Sequence, residues 1–175
     1  MNHPLGKLLY DSGVLHFNSK DIHVDFTQIF ANPSWMRLLA NHAAKDLEDY
    51  AIDALSGNEE TLPYAMLCCE SLALPLQYVR HNQLTQVKRP IQRSIHLTLM
   101  TPDHEEINSL VQVFNAHEVE LVGIYSLLGV RDVETTIRLL SLVKLKDILE
   151  TYRKIHLITE DELNLYLSRM NPVVG

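Results

Sequence analysis

Between residues 51 and 128, short apolar runs alternate with segments whose apolar residues recur every three or four positions. This alternation restricts the fold more than any other feature. It predicts strands over 51–55, 74–79, 95–100 and 121–128, with helices over 62–72 and 103–117 between them. Strands joined through helices run parallel, because a parallel pair needs a long crossover. The prediction is therefore an α/β fold: a doubly wound, mainly parallel sheet with helices on both faces. Ahead of this block lie two short strands, 14–17 and 22–26, and a helix over 34–48 opened by Asn32, Pro33 and Ser34. Behind it come a strand over 136–142 and helices over 146–154 and 159–170. Thr159 and Glu162 form a capping box for the last of these.

The chain has 175 residues, a size that supports one domain, 1–175, with a substantial core. Its 22 acidic and 15 basic side chains give a net charge of -7, which argues against nucleic acid as a partner. No apolar run approaches the ~20 residues that span a bilayer, and the N-terminus has no signal-peptide core, so no membrane partner is expected. The two cysteines, Cys68 and Cys69, are adjacent in an apolar helical pattern and read as small buried residues. A reduced, cytoplasmic protein is expected.

The segment 94–110, SIHLTLMTPDHEEINSL, is a buried strand, a tight turn and a helix start. In nucleotide-handling α/β folds a phosphate sits at such a junction, held by unpaired N–H groups and the helix dipole. Here the junction has neither glycine nor lysine. Thr101 or Asp103 is expected to cap the helix by accepting from a first-turn N–H and Pro102 to take its first position, with Asp103, Glu105 and Glu106 filling the first turns. The chain's own negative groups occupy the place of an anion.

The chain resembles the orotate phosphoribosyltransferases, a type I phosphoribosyltransferase family, from about Ser12 to Met170. SGVLHFNSKDIHVDF resembles a shortened family hood, and FANPSWMRLLANHAAK the helix after it. The closest match is IRLLSLVKLKDILETYRKIHLITEDELNLYL, the family's closing strand and helices. The resemblance implies a hood built from about residues 12–30 plus C-terminal elements, and a homodimer. The apolar region 29–39 and the helix at 62–72 are available for dimer contacts.

The family's chemical motifs match less well. Its two adjacent acids, which hold ribose hydroxyls, fall on Thr98 and Leu99. Its 5′-phosphate loop falls on Thr101, Pro102, Asp103 and His104, and its pyrophosphate loop on Ser56, Gly57, Glu59 and Glu60. Like charges ~4 Å apart repel by about 1 kcal/mol even in water, so Glu59 and Glu60 oppose a diphosphate. In the family's mobile loop, Arg80 fits the first basic position and His81 the next, while the catalytic lysine falls on Leu84. The orotate-contacting arginine falls on Val130, one place from Arg131. Lys20 and Asp25 fit the hood pattern.

Lys20, Arg80, His81 and Arg131 are thus the candidate ligand-binding residues, and no catalytic residue is assigned. The basic stretch 80–93 reads as a polar surface loop. Asp46, Glu48 and Asp49 read as a solvated helix end. His23, His42, His96, His104 and His117 match no metal-binding spacing, so no metal site and no cofactor are expected. The resemblance implies Mg2+ only for an active transferase. Three functions remain open. One is a transferase-like protein that has lost phosphoribosyl transfer and binds a nucleotide- or pyrimidine-related ligand. The others are an active orotate phosphoribosyltransferase of pyrimidine metabolism and a structural dimerisation module.

Overall fold

The structure, a computed structural model, describes residues 5, 8–9, 13–17, 22–85 and 90–170. An antiparallel pair comes first, β1 (Leu15–Phe17) and β2 (Ile22–Val24), with Leu15 opposite Val24. A short helix α1 (Thr27–Phe30) leads to α2 (Pro33–Leu47). Asn32 caps α2, its side chain accepting from the N–H groups of Ser34 and Trp35, and Pro33 follows it. Then come β3 (Ala54–Gly57), α3 (Leu62–Leu72), β4 (Leu76–Arg80), β5 (Gln83–Leu84), β6 (Arg93–Met100), α4 (His104–Ala116), β7 (Glu120–Gly129) and β8 (Arg138–Lys144). Helices α5 (Leu145–Lys154) and α6 (Glu160–Met170) close the described chain.

The main sheet has six strands in the order β5-β4-β3-β6-β7-β8. All neighbours are parallel except β5, which pairs antiparallel with β4. From β3 the chain steps outward to β4, then returns to the other side of β3 and steps away through β6, β7 and β8. Right-handed crossovers in opposite directions put α3 and α4 on opposite faces. The hydrophobic clusters reflect this. Ile95, Leu97, Tyr125 and Leu127 pack with Leu39, Ala43, Tyr64 and Cys68 on one face, whereas Ile124 packs with Ile107, Val113, Phe114 and Leu84 on the other. The expected doubly wound, mainly parallel sheet is the one observed.

The hood is also present. Val14, Leu15 and Phe26 lie in the same buried cluster as Leu145, Ile148, Tyr152, Leu163 and Tyr166. At the start of α6, Thr159 Oγ1 accepts from the Glu162 N–H (3.2 Å) and Glu162 Oε2 accepts from the Thr159 N–H (2.8 Å), the capping box expected there. Among the described residues, no helix is long and apolar enough to cross a membrane. Cys68 and Cys69 are free and buried, and burial pushes their thiols up to about 12 and about 11.

Four local expectations need correction. The strand expected at 51–55 is β3, Ala54–Gly57, so Ser56 and Gly57 belong to the sheet rather than to a turn. Asp53 stays outside because its carboxylate accepts from the N–H groups of Gln92 and Arg93 (both 3.0 Å), tying it to the start of β6. The stretch 80–93 is not simply a loop, since it contains β5. Asp46 is not merely solvated: its carboxylate accepts a 2.7 Å hydrogen bond from the buried Tyr125 hydroxyl, joining α2 to β7. The fourth correction concerns the cap of α4 and belongs to the site.

Gly57 has a steric reason to be glycine. A Cβ there would lie 2.7 Å from Thr61 Oγ1 and 3.2 Å from Ala65 Cβ. Gly57→Ala is therefore expected to lower stability by roughly 1–3 kcal/mol, as overpacking does. Urea unfolding with an unchanged m-value and a lower midpoint is the expected measurement.

Candidate functional site

The reversal of chain progression between β3 and β6 opens a crevice at their C-terminal ends, where doubly wound folds place ligands. Two turns wall it, 58–61 after β3 and 101–103 after β6. Both are closed on themselves. Asn58 N–H donates to Thr61 Oγ1 (2.9 Å) and Thr61 N–H donates back to Asn58 Oδ1 (3.1 Å). Glu59 and Glu60 stand exposed on this turn. At the head of α4, Asp103 Oδ1 accepts from the Glu106 N–H (2.9 Å) and Glu106 Oε2 accepts from the Asp103 N–H (2.8 Å). This reciprocal box satisfies two donors that an open phosphate cradle would present.

The cap is therefore Asp103. Thr101 does not cap α4 and Pro102 does not open it; both precede the cap, and His104 is the first helical residue. Thr101 is held by β7 instead. Its N–H donates to Leu128 O (3.2 Å) and its hydroxyl accepts from the Val130 N–H (3.3 Å), leaving it 6% exposed. A threonine so bonded to the neighbouring strand cannot also reach the α4 donors.

Two cavities share this crevice. One, of about 390 Å³, lies under α4 and is lined by Asn58, His96, Thr98, Asp103, Glu105, Glu106 and Ser109, with Val79 and Leu110. The other, of about 550 Å³, lies under the hood beside Asp25, Phe26, Thr27, Phe30, Glu60 and Arg131. Asn58, Thr98, Pro102 and Glu106 line both. Among the described lining residues, five carboxylates (Asp25, Glu60, Asp103, Glu105, Glu106) face one fixed cation, Arg131. The Thr27 hydroxyl and N–H hold the Asp25 carboxyl below its usual range, so it stays ionised. The positions matching the family's acidic pair carry Thr98, bonded to the Ser126 hydroxyl at 3.0 Å, and partly buried Leu99. Among the described residues, no group of three or more His, Cys, Asp or Glu side chains is placed to hold a metal ion. A larger cavity, about 600 Å³, lies across β8 and the start of α5, where Lys144, Lys146, Asp147 and Glu150 line it with Arg131.

The other candidate residues are not brought together. Lys20 lies outside the described residues. Arg80 ends β4 and is exposed; His81 (φ 49°) and Asn82 (φ 60°) then form a tight two-residue hairpin turn into β5. Arg80 and His81 line neither crevice cavity. Leu84, at the family's mobile lysine, is 4% exposed and packs in the cluster of Ile107 and Phe114. A buried leucine under α4 cannot swing over a substrate. Of the described candidate ligand-binding residues, Arg131 alone lines the hood cavity, beside Glu60, Thr101 and Pro102 of the two turns.

One crevice residue escaped functional assignment in the sequence. The β3–β6 register puts Ser56 beside His96, with Ser56 Oγ 3.0 Å from His96 Nδ1. His96 is 2% exposed and stacks edge-on against Phe114 at 6.2 Å. Its only signal was a histidine inside an apolar strand run. Desolvation lowers it to about 4, so the ring is neutral near pH 7.

The fold is that of solved phosphoribosyltransferases. It superposes on UMP synthase from Leishmania donovani with a TM-score of 0.81 at 22% identity, covering 95% of this chain and 41% of that one. The chain thus spans less than half the length of that relative. Orotate phosphoribosyltransferase from Francisella tularensis matches with a TM-score of 0.75 at 14% identity, covering 96% of this chain and 94% of that one. The enzyme of the same name from Aeropyrum pernix matches with a TM-score of 0.68 at 21% identity, covering 84% and 98%. No protein-family model matches the chain, and no curated protein matches it in sequence.

Two outcomes follow from the site. Asp103→Ala removes the α4 cap and should lower stability by ~1 kcal/mol, whereas Asp103→Asn should keep most of it; thermal unfolding distinguishes them. The second concerns pH. His96 binds its proton more weakly folded (about 4) than unfolded (6.5), so stability is full above 6.5, falls between 6.5 and 4, and levels off below. The loss attributable to this ring is about 3 kcal/mol. His96→Gln should flatten that part of the stability–pH curve, as read by urea midpoints from pH 4 to pH 7.

Proposed function

We propose that this chain is a phosphoribosyltransferase-like protein that does not transfer phosphoribosyl groups and binds a nucleotide- or pyrimidine-related ligand in its hood crevice. The observation that carries this reading is the closure of both anion-binding turns on the chain's own side chains. A transferase of this class must hold two phosphate groups and neutralise charge that develops during transfer. Here five carboxylates and one arginine line the place where those groups would sit. Phe26, Phe30 and Arg131 offer the hood cavity a ring-stacking surface and one cation, which suits a flat heterocycle of low charge. No cofactor and no Mg2+ enter this reading, and a cytoplasmic location accords with free, reduced cysteines.

The second reading is an active orotate phosphoribosyltransferase, favoured by the names of the solved structures that share the fold. A direct assay separates the two. Purified protein with orotate and phosphoribosyl pyrophosphate should form no orotidine monophosphate above background, while uracil or uridine monophosphate raises the melting temperature. Turnover at ordinary enzymatic rates would overturn the proposal in favour of the second reading.

A homodimer is part of the same proposal. Met36, Met66, Leu67 and Pro63 form an apolar groove between α2 and α3, with Met66 57% exposed. Arg37 and Glu70 flank it at 3.9 Å from one another, so a two-fold copy meets the opposite charge. Light scattering should give twice the chain mass at micromolar concentration, and Met66→Lys should give the single-chain mass. A single-chain mass for the unaltered protein would count against the dimer.

A further inference from the structure

We propose that the hood hairpin carries a binding site for a divalent transition-metal ion of the zinc class, formed by His16 of β1 and His23 of β2. The inference goes beyond the reading of the crevice and does not depend on which ligand the crevice takes.

The strand register makes the pair. His16 lies directly opposite His23 in the antiparallel ladder, with Leu15 opposite Val24 beside them. Directly opposed residues hold their Cβ atoms ~5 Å apart on one face of the ribbon. Leu15 is buried in the core and Val24 packs against it. Strand alternation then sends both histidines to the other face, where both are exposed. Their ring centroids are 6.3 Å apart and their planes differ by 33°. Two imidazoles on one tetrahedral ion, with Zn–N bonds of ~2.1 Å, have centroids about 5 Å apart. Rotation about the side-chain torsions of two exposed rings closes that difference without moving the backbone. The spacing of these histidines in the sequence matches no metal motif, because the hairpin and not the local chain brings them together.

Asp25 adds negative charge on the same face. Its N–H continues the ladder to Val14 O (2.8 Å), which keeps its side chain in step with that of His23, two residues earlier. Thr27 holds its carboxyl ionised, and both His16 and His23 lie near enough to add to that effect. Among the described residues, no group of three His, Cys, Asp or Glu side chains forms a metal cage. The site is therefore a two-nitrogen chelate whose remaining positions take water, with Asp25 acting through its charge. Imidazole nitrogens suit Zn2+, whereas Mg2+ and Ca2+ take oxygen ligands. A two-stranded ribbon is marginally stable by itself, and an ion bound to both strands ties them together.

The test uses the full chain, freed of metal with a chelator and titrated with Zn2+ at pH 7.5. The ring nitrogen signals of His16 and His23, assigned through bonds from their backbones, are expected to shift together and saturate at one ion per chain. By calorimetry, His16→Gln and His23→Gln should each weaken binding at that site at least tenfold, while His42→Gln, an exposed change on α2, leaves it unaltered. Both hairpin variants should keep the metal-free melting temperature of the unaltered chain, since the two rings are exposed. Zn2+ should raise the melting temperature of the unaltered chain and not that of the double variant. Mg2+ at the same concentrations should move neither ring signal. No saturable response of the two rings at millimolar Zn2+ would overturn the inference. So would a response of one ring alone, weakening by only one of the two hairpin substitutions, an equal loss in His42→Gln, or an equal response to Mg2+.

Discussion

The first turn of a helix leaves N–H groups that no residue of the helix can satisfy, and something must accept from them. In this fold two helices begin at the crevice, so the identity of those acceptors decides what the crevice can hold. A loop rich in small residues leaves the donors for an anion. At α4 this chain supplies Asp103 and Glu106 instead, and in the turn before α3 the side chains of Asn58 and Thr61 accept from each other's N–H groups, although α3 itself has no side-chain cap. Each such bond is modest in strength. Together they remove donors from the crevice and, at α4, leave formal negative charge in their place. The change is local in sequence, and its consequence reaches every ligand the crevice could take.

The sheet makes those local choices meet. Because β3 and β6 are neighbours at the reversal of chain progression, residues some forty positions apart face one another across the crevice. Asn58 and Asp103 become opposite walls, and Ser56 Oγ meets His96 Nδ1. The same topology puts α4 alone on one face, where Phe114 and Ile107 cover Leu84. That burial pins the root of the β4–β5 hairpin. The hairpin thereby gains a place in the core, and Leu84 loses any part in covering a bound substrate.

The result is a phosphoribosyltransferase-like architecture whose crevice is lined mainly by carboxylates among the described residues. The hood and closing helices keep their packing, since these depend on apolar periodicity alone. The crevice keeps its place, since that depends on strand order. Its electrostatics depend on a handful of side chains, most of them in two turns. Fold and site chemistry are thus set by different residues in this molecule: packing depends on apolar periodicity and strand order, and the charge of the crevice on side chains in two turns.

The sequence by itself determined the strand–helix alternation, most element bounds to within a few residues, the caps at Asn32 and Thr159, and the acidic character of the two turns. These follow from periodicity and local hydrogen bonding, both written in consecutive residues. Tertiary structure decided the rest. Asp53 left its strand because the amides of Gln92 and Arg93, at the entry to β6, bind its carboxylate. Thr101 gave the cap to Asp103 because Leu128 of β7 held its N–H and Val130, just beyond β7, its hydroxyl. Asp46 found Tyr125 across the α2–β7 packing. His96 became a neutral ring only through burial in the assembled sheet. In each case the deciding atom belongs to a strand or helix far along the chain, and only the assembled sheet brings it within hydrogen-bonding reach.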